Sequence, residues 1–441
     1  MKPSGRATVS LRAMVALALL SHALPAAAYI DPGTGSALFY VVTGIIVSVY
    51  FGIRGLYYRA VEFLFRIRHK EHSCRVAIHG EDPRYESTFM PLLRQLSALG
   101  IECTYFTMYE RDDSYEALPP GIGHRQIAPG LVGYAHLNHL SATLLVTTTP
   151  QLDVMTFRRS KRVRHYCMVQ HALGESRFVR PYAYDHFDTV LCCGEILKQN
   201  IRRMEALRGS PAKQLLETGL PHYEVMLDLA RQAPPLTGET IVLVAPSWGP
   251  MSMFEAFGTD FIAAIARRFK VLVRPHPQMK VSQPDLYARI LALDGVEVDT
   301  SRTPSAAMAR AHILLSDISG ISHEFAFIHE RPVVVIDRQL QLGGLEGELL
   351  GGDSELKQRC AEFIVPVPPD QITHIATHLE RVLAGHSAER LRQVRNELVY
   401  HFGGASRVAA AQIAEILRTE DARAASRSAA LSGLATGDKA A

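Results

Sequence analysis

From residue 74 onward, short runs dense in Val, Ile and Leu alternate with stretches whose apolar residues recur every three or four positions. Uninterrupted apolar runs of strand length fit strands buried on both faces, and the longer period fits helices laid over them. The pattern therefore predicts α/β architecture with parallel sheets. Two sets of strands can be read, the first at 75–80, 101–108, 142–148, 165–172 and 188–194, the second at 240–247, 270–277, 296–300, 312–317 and 332–337. Between them the stretch RQAPPLTGE, Arg231 to Glu239, breaks both periods. The expectation is an N-terminal Rossmann-like domain over 74–230 facing a C-terminal one over 239–418, with RVAAAQIAEIL packing back across the interdomain face. Residues 419–441, rich in Ala, Ser and Arg, are expected to be a disordered tail.

The first 73 residues follow another pattern. Lys2, Arg6 and Arg12 precede an apolar stretch that ends in Ala26, Ala27 and Ala28, so residues 1–28 read as a signal peptide or a first membrane segment. Residues 35–53 carry no charge over 19 positions, enough for a transmembrane helix. Arg54, Arg59, Arg66, Arg68 and Lys70 follow with only Glu62 and no other acid among them. That asymmetry puts the rest of the chain on the cytoplasmic side of a bacterial inner membrane, with 54–73 as a basic juxtamembrane helix near an anionic lipid surface.

Composition narrows the function. A net charge of +3 with 47% apolar and 21% charged residues is that of a folded protein without the basic surface that nucleic acid requires. The cysteines at 74, 103, 167, 192, 193 and 360 have no zinc-ligand spacing and read as free thiols of a reducing compartment. No metal or cofactor is expected.

Open parallel sheets bind ligands at the carboxyl ends of their strands, so chemistry is sought there. The segment HILLSDISGISHEFAF joins a strand to a helix through Ser316, Asp317, Ile318, Ser319 and Gly320. Ser319 suits an N-cap, Gly320 allows close approach, and free N–H groups with the helix dipole favour an anion. Glu324, one turn on, can accept hydrogen bonds from a ribose diol. In VLVRPHPQ, Arg274 offers a planar fork for phosphate and His276 a donor, held in a Pro-bracketed loop. APSWGP places Ser247 and the single Trp where they can bound a donor pocket. From the first domain, HYCMVQHALGESR presents His171 at a strand end, the candidate general base for an acceptor hydroxyl, with His165 as its structural competitor. The constellation points to a nucleotide-activated donor.

With these segments in this order, the chain resembles the CDP-glycerol glycerophosphotransferase family, GT-B-fold enzymes related to teichoic-acid polymerases, from about Cys74 to Leu417. That family runs through a strand ending in HG, a GxPRxD turn, APTW, PHP, a DYSS turn followed by an acidic residue and Phe, and DGxxxxR. Here the corresponding places hold His171 with Ala172, Gly219 to His222, Ala245 to Trp248, Pro275 to Pro277, Asp317 to Gly320 with Glu324 and Phe325, and Gly403 to Arg407. The resemblance implies attack by an acceptor hydroxyl on the glycerol-bearing phosphate of CDP-glycerol, release of CMP, a lipid-linked or membrane acceptor, and no catalytic metal. His171 would be the base, while His276, Ser319 and the helix N-terminus would stabilise phosphate charge. Departures fall at Ala172, Gly249, Ile318, Gly320 and Glu324. HALGESR and SDISGISHE also resemble the sugar-nucleotide 2-epimerases and glycosyltransferases of the same fold. A UDP-sugar donor and a catalytically weak nucleotide-binding module stand as alternatives.

Overall fold

The computed structural model describes residues 41–57, 60, 73–301, 303–338 and 343–437. Residues 41–57 form a helix that belongs to a separate unit, with Ile45, Ile46, Val49 and Ile53 exposed. Among the described residues no helix is long and apolar enough to cross a membrane. Positions 35–40 of the expected span, the whole expected signal segment and most of the basic stretch after Tyr57 lie outside the described residues.

The larger unit contains two wholly parallel sheets. The first comprises β1 (Ser73–Gly80), β2 (Cys103–Thr107), β3 (Ile122–Gln126), β4 (Ser141–Thr147), β5 (Val163–Val169), β6 (Thr189–Cys192) and β7 (Gln214–Glu217), in the order β3-β2-β1-β4-β5-β6-β7. The second comprises β8 (Ile241–Val244), β9 (Lys270–Val273), β10 (Glu297–Val298), β11 (Ile313–Ser316), β12 (Val333–Ile336) and β13 (Ile364–Val367), in the order β10-β9-β8-β11-β12-β13. In each sheet the order reverses beside the first strand, between β1 and β4 and between β8 and β11. Such a reversal opens a crevice at the carboxyl ends. Central strands such as IVLV and ILLS are apolar throughout because both faces are covered by helices.

Every strand expected from the apolar pattern is present, and three more appear at edges: β3, β7 and β13. β10 shrinks to two residues. The expected disordered tail is corrected as well. Residues 405–437 form one helix, so the expected tail continues the RVAAAQIAEIL segment, whose Ala409, Ala410, Ile413, Ile416 and Leu417 are buried against Val76 and Leu144 of the first sheet and Phe89 of the helix Glu86–Ala98. The chain thus returns from the second half to complete the core of the first. Residues 438–441 lie outside the described residues.

The crossing is fixed by close backbone contact. Tyr400 N–H donates to the Cys193 carbonyl at 2.9 Å. A Cβ on Gly194 would stand 1.9 Å from the Leu398 carbonyl oxygen, and one on Gly219, which has φ +89°, 2.0 Å from that of Tyr400. Only glycine fits at these two places. All six cysteines are free, and all but Cys74 are fully buried.

Candidate functional site

The segment after β5 begins the site. Beyond Val169 the chain leaves the sheet, and His171 packs against Tyr85 in a tilted arrangement with ring centroids 4.5 Å apart. Its Nδ1 is buried and meets no partner among the described residues. Burial, reinforced by the Arg84 guanidinium, lowers its pKa to about 4, so the ring is neutral at physiological pH and a nitrogen is free to accept a proton. Glu175 and Arg177, just beyond it, serve another purpose. Glu175 accepts from the N–H groups of Glu355 at 2.9 Å and Leu356 at 3.3 Å and from the Ser354 hydroxyl. Arg177 donates to the carbonyls of Gly352 at 2.7 Å and Gly351 at 3.1 Å. The two side chains clamp the halves together directly downstream of His171.

The facing half contributes the turn after β11. Asp317 is buried, and its carboxylate is fully engaged. One oxygen accepts from Ser247 N–H at 2.7 Å and the other from Met253 N–H at 2.8 Å. Desolvation raises its pKa despite these bonds. The expectation of a donor-binding Asp317 is therefore corrected: this carboxylate positions the Ser247 loop. Ser319 is not the N-cap either. Gly320 takes that place, ahead of the helix Ile321–His329. The N–H groups of Gly320 and Ile321 meet no acceptor among the described residues, and a Cβ on Gly320 would touch nothing within 4 Å. This is an uncovered helix N-terminus, suited to an anion. Phe325 and Ile328, three residues apart on one face, anchor the helix in the core, with Ile321 partly buried beside them.

Arg274 is the second correction. Its guanidinium forms an ion pair with Asp299 and donates to the Ser301 hydroxyl at 3.1 Å and carbonyl at 3.0 Å. At 6% exposed it ties β9 to the loop after β10 and presents no fork to a ligand. His276 does face outward. Its Nδ1 accepts from Gln278 N–H at 3.1 Å, which leaves Nε2 to carry the hydrogen. Trp248, half exposed, lies with its ring 6.1 Å from that imidazole. Gly249 follows at φ +77°, and its N–H donates to Gln283 Oε1 at 2.8 Å.

Sequence reasoning named His222 only within a turn and missed Arg84. Arg84 pairs with Asp82 through bonds of 2.9 and 3.0 Å, yet its charge lowers the pKa of both His171 and His276. Its charge is therefore felt at both histidines. His222 opens the helix His222–Gln232, buried, with both ring nitrogens unpartnered and Nε2 3.8 Å from Glu324 Oε1. Burial pushes Glu324 up to about 7. The signal in the sequence was the histidine directly after the Gly-x-Pro turn.

Several buried polar atoms without a partner among the described residues belong to these segments: His171 Nδ1, both nitrogens of His222 and the Ser247 and Ser322 hydroxyls; others lie elsewhere in the fold, at Asn200 and Ser210. Buried polar groups are normally paired, so these five atoms are candidates to meet a ligand. An unpartnered imidazole nitrogen from one half and uncovered amides from the other are features that group transfer from an anionic donor can use.

No family model and no curated protein sequence matches the chain. Solved structures do match. The wall teichoic acid polymerase TagF superposes with a TM-score of 0.55 at 12% identity, covering 85% of this chain and 97% of that one. A histidine variant of TagF gives 0.53 at 12% identity, covering 88% and 99%. A TagF variant soaked with CDPG gives 0.52 at 12% identity, covering 85% and 97%. The fold of this chain is that of two facing Rossmann-like domains of GT-B type, shared over most of its length with the teichoic-acid polymerase TagF.

Proposed function

We propose that the chain is a transferase that moves glycerophosphate, or a related phosphoalditol, from CDP-glycerol to a membrane-linked acceptor in cell-envelope polymer synthesis. The observation that carries this reading is the neutral, unpartnered His171 on one wall of a cleft whose other wall presents an uncovered helix N-terminus and His276. His171 takes the proton of the acceptor hydroxyl as its oxygen attacks the glycerol-bearing phosphorus. The phosphoanhydride bond to the inner phosphate breaks, and CMP leaves. His276 Nε2–H and the amides of Gly320 and Ile321 lie on the side where phosphate charge has to be held. The likeness to TagF, a variant of which was soaked with CDPG, supports the choice of donor. The uncharged residues 35–53 and the arginines that follow support attachment to the inner membrane with the catalytic part in the cytoplasm.

Incubation with CDP-glycerol and membranes should release CMP, and His171→Gln should slow release by about 10²- to 10⁴-fold. Release of UDP from a UDP-sugar instead would reassign the protein to sugar transfer. Tight nucleotide binding with no turnover from either donor, and none lost in His171→Gln, would leave a binding module.

A further inference from the structure

We propose that His222 and Glu324 hold one proton between them, and that an anionic donor draws it onto His222, giving the cleft a cation only while the donor's phosphates are bound. The inference deepens the proposed function and rests on its reading of the cleft as a nucleoside-diphosphate site. The two side chains come from opposite halves. His222 begins a helix of the first half, and Glu324 lies in the first turn of the helix Ile321–His329, whose uncovered amides face the ligand. The imidazole is 5% exposed and neither nitrogen has a partner, so both aim at something the free protein does not supply. Glu324 Oε1 stands 3.8 Å from Nε2, close enough to exchange a proton after a small shift and too far for a settled bond.

The surroundings leave this pair to itself. The helix Glu86–Ala98 packs against that of His222, but its Glu86 is held by Tyr109 and Arg111 at 2.7 Å each. The helix Ser305–Arg310 contributes Arg310, paired with Glu297. On the helix of His222 itself, Glu224 is taken by Ser406 at 2.6 Å, and Tyr223 is a buried phenol with its pKa driven up. His323, beside Glu324, is held neutral with its pKa near 4. His171 is the remaining group, and its field disfavours charge on His222. In the free protein burial lowers His222 to about 3 and lifts Glu324 to about 7, so the proton rests on the carboxyl. Phosphate charge at the Gly320 and Ile321 amides disfavours both the carboxylate and the neutral ring, and it reverses that preference when it stands nearer the imidazole than the carboxyl. Transfer from Glu324 Oε1 to His222 Nε2 leaves a carboxylate and an imidazolium, and above neutral pH the proton comes from solvent.

Calorimetry of CDP binding in buffers of different ionisation heat tests this. The wild-type protein should take up about one proton at pH 8 and much less at pH 6, where Glu324 already carries it. The titration of CDP itself is common to all variants, so the difference between them is what counts. His222→Gln and Glu324→Gln should each abolish the extra uptake. Glu324, a quarter exposed, is the safer substitution should His222→Gln fail to fold. His222→Arg, a permanent cation, should bind CDP at pH 8 without extra uptake. Uptake equal to wild type in Glu324→Gln or His222→Gln overturns the inference while leaving the donor reading intact. Absence of any CDP or UDP binding by the wild-type protein removes the donor reading and the inference with it.

Discussion

Replacing Glu175 by Ala should cost about 4 kcal/mol of stability. The residue is 2% exposed and reaches from the first half to the start of the helix Glu355–Cys360 in the second. Truncation leaves the amides of Glu355 and Leu356 and the Ser354 hydroxyl without their acceptor, and removes the carboxylate 3.5 Å from Arg177 Nε. Hydrogen bonds to a charged group contribute about 1.5–3 kcal/mol each, but they are not additive. Removing one member of a buried ion pair costs about 3–5 kcal/mol, and water entering the space recovers part. Those bounds bracket 4 kcal/mol, about a thousandfold in the folding equilibrium. Urea unfolding followed by the fluorescence of Trp248, the single tryptophan, measures it. Because the clamp joins the halves, the variant should also unfold in two steps where the parent unfolds in one. A single unchanged transition, displaced by less than about 1 kcal/mol, would refute the clamp.

Further outcomes follow from neighbouring features. Gly219→Ala, forced to hold φ +89° and to press a Cβ against the Tyr400 carbonyl, should lose at least about 2 kcal/mol in the same urea assay. Trp248→Ala should raise the Kd for CDP about tenfold at unchanged stability, since an exposed ring beside His276 acts as a stacking wall. Stability should fall as pH drops from about 6.5 toward 4. His79, His171 and His222 are lowered to about 3, about 4 and about 3, so the unfolded chain binds their protons first. Glu324, raised to about 7, works in the opposite sense and is outnumbered, so thermal midpoints measured across this range should decline toward acid.

The strands that the sequence disclosed and those it hid differ in one physical respect. β8, β11 and β12 are central, covered on both faces, and written almost wholly in Val, Ile and Leu. β3, β7 and β13 lie at sheet edges. β3 reads IGHRQ with four exposed positions, and β13 carries Pro366, which an edge tolerates because its N–H side needs no partner. The periodic signal depends on two-sided burial, so edges leave none. The tail escaped for a related reason. Residues 421–427 are helical but almost wholly exposed and written in Ala, Arg, Ser and Asp, so they carry no apolar stripe. Site residues divide similarly. The strand-end positions of His171, His276 and Gly320 were legible in the sequence. The engagement of Asp317 with two distant amides and of Arg274 with Asp299 depends on pairing that no local spacing encodes.

That engagement has a consequence for how the cleft handles charge. Arg274 is neutralised by Asp299, Arg331 is spent on the carbonyls of Ala309 and Ala311, and Arg338 on those of Pro250 and Ser252. None of these cations of the second half is free to meet a diphosphate. Arg84 is close enough to act on both His171 and His276, but it already carries Asp82 as a counter-ion. The proposed two-phosphate donor would therefore enter a site whose fixed positive charge is nearly cancelled, and would rely on the helix dipole, the His276 N–H and protons acquired on binding. Removing Asp82 would unbalance this arrangement. Asp82→Asn should free Arg84, tighten CDP binding several-fold, and steepen the loss of affinity with added salt, because more of the attraction would then come from an exposed charge. Unchanged affinity and salt dependence in that variant would show that Arg84 does not face the bound phosphates.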